Sequence, residues 1–180
     1  MGENKKLTSV QINLGDILLR SWQEGDEESL VKHGNNYHIW KNVRDRFPRP
    51  YTAEDARIWV QVANQDPMAI NLAIVVEGEV VGAVGVIFKD DVYRRSAEIG
   101  YWLGESYWGK GITTRAVQAL SSYVFEHFDI CRLYAGVFDY NEASVRVLEK
   151  SGYHLEARLC QNVTKEGRTV DELVYARLTE

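Results

Sequence analysis

Glu98 stands in an apolar stretch, Ser96-Ala97-Glu98-Ile99-Gly100-Tyr101-Trp102-Leu103, that leads through Tyr107-Trp108 into Gly109-Lys110-Gly111 and then a helical sequence. A carboxylate in a strand feeding such a loop can take a proton from whatever the loop holds. Gly109 and Gly111 let the backbone approach a bulky ligand closely. The first N–H groups of the following helix, around Ile112 to Thr114, carry partial positive charge, so a phosphate suits the loop. Further on, Asn141-Glu142-Ala143-Ser144 follows another strand. Asn141 can both donate to and accept from an amide-bearing ligand, and the Ser144 hydroxyl can give or take a proton. Carboxylate, anion loop and hydroxyl in this order are the parts of an enzyme.

Each part also has an ordinary structural use. The glycines can simply turn the chain before a helix. Glu98 can be a solvated carboxylate or a partner for Arg94 or Arg95, Asn141 can cap the helix it precedes, and the Ser144 hydroxyl can face solvent. Two familiar phosphate motifs do not fit. The dinucleotide fingerprint needs a third glycine where Thr114 stands, and the spacing of a nucleotide P-loop is absent. His33, His38, His127 and His154 show no metal-ligand spacing with each other or with the cysteines, so no metal site is expected. Trp102, Tyr107 and Trp108 crowd the loop and can line a pocket or pack in the core.

The elements that must position these groups follow from periodicity. Residues 17–22 alternate as a strand, and the acidic cluster Glu24 to Glu28 suits the first turn of a helix carrying Leu30 and Val31. A second helical stretch through Trp40 and Val43 ends near Phe47-Pro48-Arg49-Pro50, and Thr52 with Asp55 opens a third helix in a capping-box pattern. Residues 69–89 read as a hairpin turning at Glu77-Gly78-Glu79, and residues 93–103 as the next strand of the meander. Alternation puts Ser96, Glu98, Gly100 and Trp102 on one face and Ala97, Ile99, Tyr101 and Leu103 on the other. A long amphipathic helix spans 112–128, a strand 132–138, and a helix runs from Glu142 to a stop at Gly152. Residues 153–163 and 169–178 form a closing hairpin. Strand, long helix and strand make the 93–103 and 132–138 segments parallel neighbours, with ligands bound at the carboxyl ends of such strands. The fold class is α/β: a mixed, mostly antiparallel sheet with one parallel strand pair and helices on both faces.

With 180 residues the chain suits one domain, residues 1–180, with residues 1–12 a loosely ordered N-terminal segment. Acidic residues outnumber basic ones 26 to 21, for a net charge of −5, and no basic run suits nucleic acid. No apolar run approaches the ~18 residues of a membrane span, and no export or anchor signal is seen, so a cytoplasmic, soluble protein is expected. Cys131 and Cys160 read as two half-buried free thiols, although a single pair is geometrically open to them. A homodimer is compatible with the chain but has no signature in it.

Taken together, Leu18-Leu19-Arg20, Phe47-Pro48-Arg49-Pro50-Tyr51-Thr52 with Asp55-Ala56, Ala97-Glu98-Ile99-Gly100-Tyr101, Tyr107-Trp108-Gly109-Lys110-Gly111-Ile112 and Asn141-Glu142-Ala143-Ser144 with Gly152-Tyr153 resemble a GNAT-superfamily N-acetyltransferase. The resemblance covers nearly the whole chain and is greatest to the branch that acetylates N-terminal amines of ribosomal proteins. It implies acetyl-CoA as acyl donor and no metal. The pyrophosphate would lie on the loop and helix start, Trp108, Gly109, Lys110, Gly111, Thr113 and Thr114. The pantetheine arm would lie along Tyr101 and Leu103 and against Asn141. The family's tyrosine acid falls on Leu148, which leaves Ser144 or a water for that role. Some relatives place a carboxylate after Gly152, where Glu156 is nearby, but Glu98 is the expected base, acting through a water. The acceptor is an amine, either a peptide N-terminus or a small amine such as a polyamine, amino acid or aminoglycoside, walled by the helices of residues 26–65. A non-catalytic CoA-binding sensor or scaffold is the alternative from another class.

Overall fold

A computed structural model describes residues 10–179. In chain order the elements are β1 (Gln11–Asn13), β2 (Ile17–Ser21), α1 (Glu27–Gly34), α2 (Tyr37–Trp40), α3 (Ala53–Val62), β3 (Ala69–Val76), β4 (Glu79–Phe88), β5 (Ser96–Leu103), α4 (Ile112–His127), β6 (Arg132–Phe138), α5 (Glu142–Lys150), β7 (His154–Lys165) and β8 (Arg168–Leu178). The eight strands form one sheet in the order β1-β2-β3-β4-β5-β6-β8-β7. Every neighbouring pair is antiparallel except β5 with β6. This is the mixed sheet with one parallel pair expected from the sequence.

The strands of the meander read as nearly continuous apolar runs because both faces of the sheet are covered. On one face Ile70, Leu72, Ile74, Val84, Ile99 and Leu133 pack with Ala116, Leu120 and Val124 of α4 and Leu148 of α5. On the other, Ala73, Val75, Val80 and Ala83 meet Leu30 of α1 and Ala56 and Val60 of α3. The β3–β4 turn places Glu77 and Gly78 at φ +51° and +84°, both left-handed, as a two-residue hairpin matched to strand twist requires. Gly82 is needed beside β5, because a Cβ there would collide with the Trp102 carbonyl. Among the described residues no helix is long and apolar enough to cross a membrane.

Three expectations are corrected. Of residues 1–12, residues 1–9 lie outside those described, whereas Val10 is buried and Gln11–Asn13 pair with β2. The second helix stops at Trp40 instead of continuing toward Phe47. There the carbonyls that would accept the next helical bonds are taken by side chains: Asn42 Nδ2 donates to His38 O at 2.9 Å and Tyr140 Oη to Lys41 O at 2.6 Å. Cys131 and Cys160 are both free, as expected, and Cys131 is half-buried, but Cys160 is exposed instead of half-buried. The capping box of α3 is present as read, Asp55 N donating to Thr52 Oγ1 and Thr52 N to Asp55 Oδ2.

Candidate active site

The parallel pairing of β5 with β6 covers Ser96↔Arg132, Ala97↔Leu133 and Glu98↔Tyr134, and ends there. β5 stays paired with β4 as far as Leu103, and β6 with β8 as far as Phe138. Beyond Glu98 the two strands therefore part, and their facing edges from Ile99 and Ala135 onward present main-chain groups without a strand partner. Such an edge pairs with an extended ligand. The gap opens into a cleft of about 1140 Å3.

The glycine loop forms one wall. Gly109 and Gly111 both lie at φ +75°, a left-handed conformation that other residues adopt only under strain. Gly111 is the N-cap of α4, and no side chain caps that end. The first N–H groups of α4 therefore remain available to an anion, which the helix dipole favours. Trp108 Nε1 donates to Leu103 O at 2.7 Å and so anchors the loop to the end of β5. Gly109, Gly111, Thr113, Thr114, Tyr101, Leu103, Trp108, Asn141, Ser144 and Glu98 all line the cleft. Lys110 does not; its ammonium sits 5.0 Å over the Tyr107 ring.

Glu98 lies where the strands part, with its side chain 15% exposed. Its partners are neither Arg94 nor Arg95. Arg44 Nη2 is paired with Oε1, and Lys89 Nζ lies 3.2 Å from Oε2. Arg95 instead meets Asp129 at 2.9 Å, and Arg94 donates to Asp91 O at 3.1 Å. Glu156 is paired with Arg132 and is not a cleft residue.

Across the gap, Asn141 caps α5, its Oδ1 accepting from Ser144 N at 3.2 Å. This leaves its amide nitrogen for a ligand. Ser144 does not simply face solvent: its Oγ is 2.8 Å from Tyr101 Oη. Burial pushes the Tyr101 phenol well above its usual range, so that hydroxyl keeps its proton. A strand side chain and a helix hydroxyl thus form a proton-bearing pair beside the opening. Among the described residues no group of three or more His, Cys, Asp or Glu is placed to hold a metal ion.

Two features of the site have little or no local signature in the sequence. Residues 41–47 strap the cleft mouth: Lys41 O is held by Tyr140, Arg44 by Glu98, and the Phe47 ring lies 5.7 Å from that of Trp102. The strap is fixed from the far hairpin by Lys165, which is 2.6 Å from Asp45 and 3.7 Å above the Trp40 ring. The second feature is Glu172 of β8, whose carboxylate reaches over Gly136 into the same cleft. The one hint of it in the sequence is a glycine inside a strand, which marks a site of close approach.

An acetyltransferase (GNAT) domain model matches residues 16–154. An uncharacterized N-acetyltransferase, p20, of Bacillus licheniformis is 29% identical over 168 residues, covering 90% of this chain and 92% of the relative. A spermidine N(1)-acetyltransferase of Escherichia coli is 26% identical over 149 residues, covering 83% of this chain and 67% of the relative. Among solved structures, a RimL ribosomal alpha-N-protein acetyltransferase in complex with coenzyme A superposes with a TM-score of 0.84 at 26% identity, covering 94% of this chain and 98% of that one.

Proposed function

The chain belongs to the acetyltransferase (GNAT) family, and from that premise we propose that it acetylates a primary amine, foremost a protein N-terminal amine, by direct attack with acetyl-CoA and acceptor bound together. The observation that carries this reading is Glu98, a carboxylate set at the point where β5 and β6 part and facing the cleft between them. Likeness to an alpha-N-protein acetyltransferase over nearly the full chain supports the peptide acceptor. Likeness to a spermidine acetyltransferase supports a polyamine as the second reading.

Bound acetyl-CoA supplies a thioester carbonyl open to a nucleophile. The α4 N-terminus and the positive-φ glycines hold its pyrophosphate, and the unpaired edge of β5 with the Asn141 amide holds its arm. An amine is protonated at neutral pH and cannot attack. Glu98, directed by Arg44 and Lys89, accepts that proton through a water. Main-chain N–H groups at the gap meet the developing oxyanion. Ser144, supported by the Tyr101 hydroxyl, returns a proton to the departing thiolate.

The test is calorimetry with acetyl-CoA followed by thiol release over a panel of Ser- and Ala-starting peptides, spermidine and small amines. Glu98→Gln is expected to lower turnover by about 10²- to 10⁴-fold with acetyl-CoA affinity nearly kept. Unchanged turnover removes Glu98 from the chemistry, and the panel names the acceptor.

A further inference from the structure

Building on the acetyltransferase reading above, we propose that Glu172 is the residue that binds the acceptor, receiving its ammonium group as an ion pair and presenting it to Glu98. Glu172 lies opposite Phe138 in the β6–β8 register. Leu133, Ala135 and Val137 of β6 belong to the core beneath α4, so Tyr134, Gly136 and Phe138 lie on the other face, where Gly136 and Phe138 line the cleft. Glu98 pairs with Tyr134, and Gly136 lies two residues beyond it on the same face. The Glu172 carboxylate folds over Gly136, a place that any side chain on residue 136 would fill. The two acids thus flank the opening from its two sides.

What distinguishes Glu172 is that among the described residues it has no counterion and yet reaches over β6 into the gap where the strands part, whereas each of the other carboxylates lining the cleft is held by a cation or by its own helix or turn. Of the other carboxylates lining the cleft, Asp55 is engaged in the α3 cap, Asp66 Oδ1 accepts from Met68 N at 2.8 Å, Glu142 meets Arg146 at 3.4 Å, and Glu98 meets Arg44 and Lys89. Among the described residues Glu172 has one hydrogen bond, from Asn162 Nδ2 at 2.5 Å, and no cation. That bond is built by a bulge in β7. The register shifts between Leu159 and Val163, Gln161 takes φ +54°, and Gln161 N donates to Asp171 Oδ1 at 2.8 Å. Bulges re-aim side chains, and this one turns the Asn162 amide onto one oxygen of Glu172 and leaves the other toward the cleft. A half-buried carboxylate held in one direction without a counterion is a seat for a ligand cation, and an ammonium with its three donors fits it.

The experiment measures steady-state thiol release against acceptor concentration at saturating acetyl-CoA, with the best acceptor of the panel. Glu172→Gln is expected to raise the acceptor KM about 10- to 100-fold, the effect of losing one hydrogen bond to a charged group, with kcat within about threefold. Acetyl-CoA affinity stays unchanged in calorimetry, and Glu172→Asp lies closer to wild type than Glu172→Gln. Glu98→Gln shows the opposite split, with kcat lowered. If Glu172→Gln does not fold, Asn162→Ala carries the test with a smaller KM rise in the same direction. An unchanged acceptor KM, or a loss confined to kcat, overturns the assignment and leaves the acetyltransferase reading standing. No thiol release by the wild type from any acceptor overturns both.

Discussion

The role proposed for Ser144 rests on its contact with Tyr101 and not on its position alone. Ser144 sits in the first turn of α5, where its main chain is held by Asn141, and its Oγ meets a phenol that burial keeps protonated. The departing thiolate of coenzyme A needs a proton below the pKa of its own thiol and little help above it. Ser144→Ala is therefore expected to lower turnover by about 10²-fold at pH 7, at the low end for proton-transfer catalysis, with the deficit shrinking as pH rises past the pKa of the coenzyme A thiol. A pH–rate profile of the variant checks this, and a deficit constant with pH would assign Ser144 to structure. That Glu98, Ser144, Gly109 and Gly111 meet at one cleft was legible in the sequence, because each belongs to a local strand-turn-helix pattern. Glu172 was not. Its relation to Gly136 depends on β8 entering the sheet between β6 and β7 and on a bulge 10 residues away in sequence, neither of which local periodicity encodes.

Between elements, the strap of residues 41–47 is held from three sides, and one of its supports comes from the β7–β8 hairpin. Lys165 at the end of β7 is a buried cation, its side chain 3% exposed, lying against Asp45 and over the Trp40 ring. Arg49 lies on the same ring at 5.1 Å, and Tyr37 Oη donates to Glu166 at 3.0 Å. The sequence shows Lys165-Glu166-Gly167-Arg168 as a turn, and Glu166 and Gly167 at φ +52° and +74° make it one. It carries no sign that the turn reaches across the molecule. The helix read through Val43 fails for the same reason, since its carbonyls are claimed by Asn42 and by the distant Tyr140. Lys165→Ala should cost about 1–2 kcal/mol, the range of a desolvated cation–π contact with an added ion pair. It should also speed amide exchange in residues 41–47 ahead of the rest of the chain. Hydrogen-exchange mass spectrometry reads this directly, and unchanged protection of the strap would show that Tyr140 and Arg44 suffice to hold it.

At the scale of the whole molecule, the sheet carries one core on each face, and the nearly continuous apolar runs of its central strands make the double cover legible in the sequence itself. How the smaller helical layer is fastened to the sheet was not legible, because the fastening is polar and long-range. Glu79 at the start of β4 accepts from Lys32 Nζ at 2.5 Å, meets His33 Nε2 at 2.9 Å and accepts from Tyr107 Oη at 3.3 Å. It thereby ties α1 to the sheet and to the turn that leads into the glycine loop. Gly104 completes the joint, since a Cβ there would come within 2.8 Å of His33 Nδ1. The bonds from Lys32 and His33 hold the Glu79 carboxyl well below its usual range, at about 2 against 4.5. A carboxyl whose pKa is depressed by folding stabilises the fold when ionised. Its contribution is complete above about pH 4.5 and is lost as pH falls from there toward 2. Glu79→Gln removes that contribution, on the order of 1 kcal/mol at pH 7 for a partly exposed ion pair. Urea unfolding of wild type and variant at pH 7, 5, 4 and 3 should therefore give curves that differ at pH 7 and converge toward pH 3. A difference that persists undiminished at pH 3 would mean that Glu79 acts by packing and not by charge.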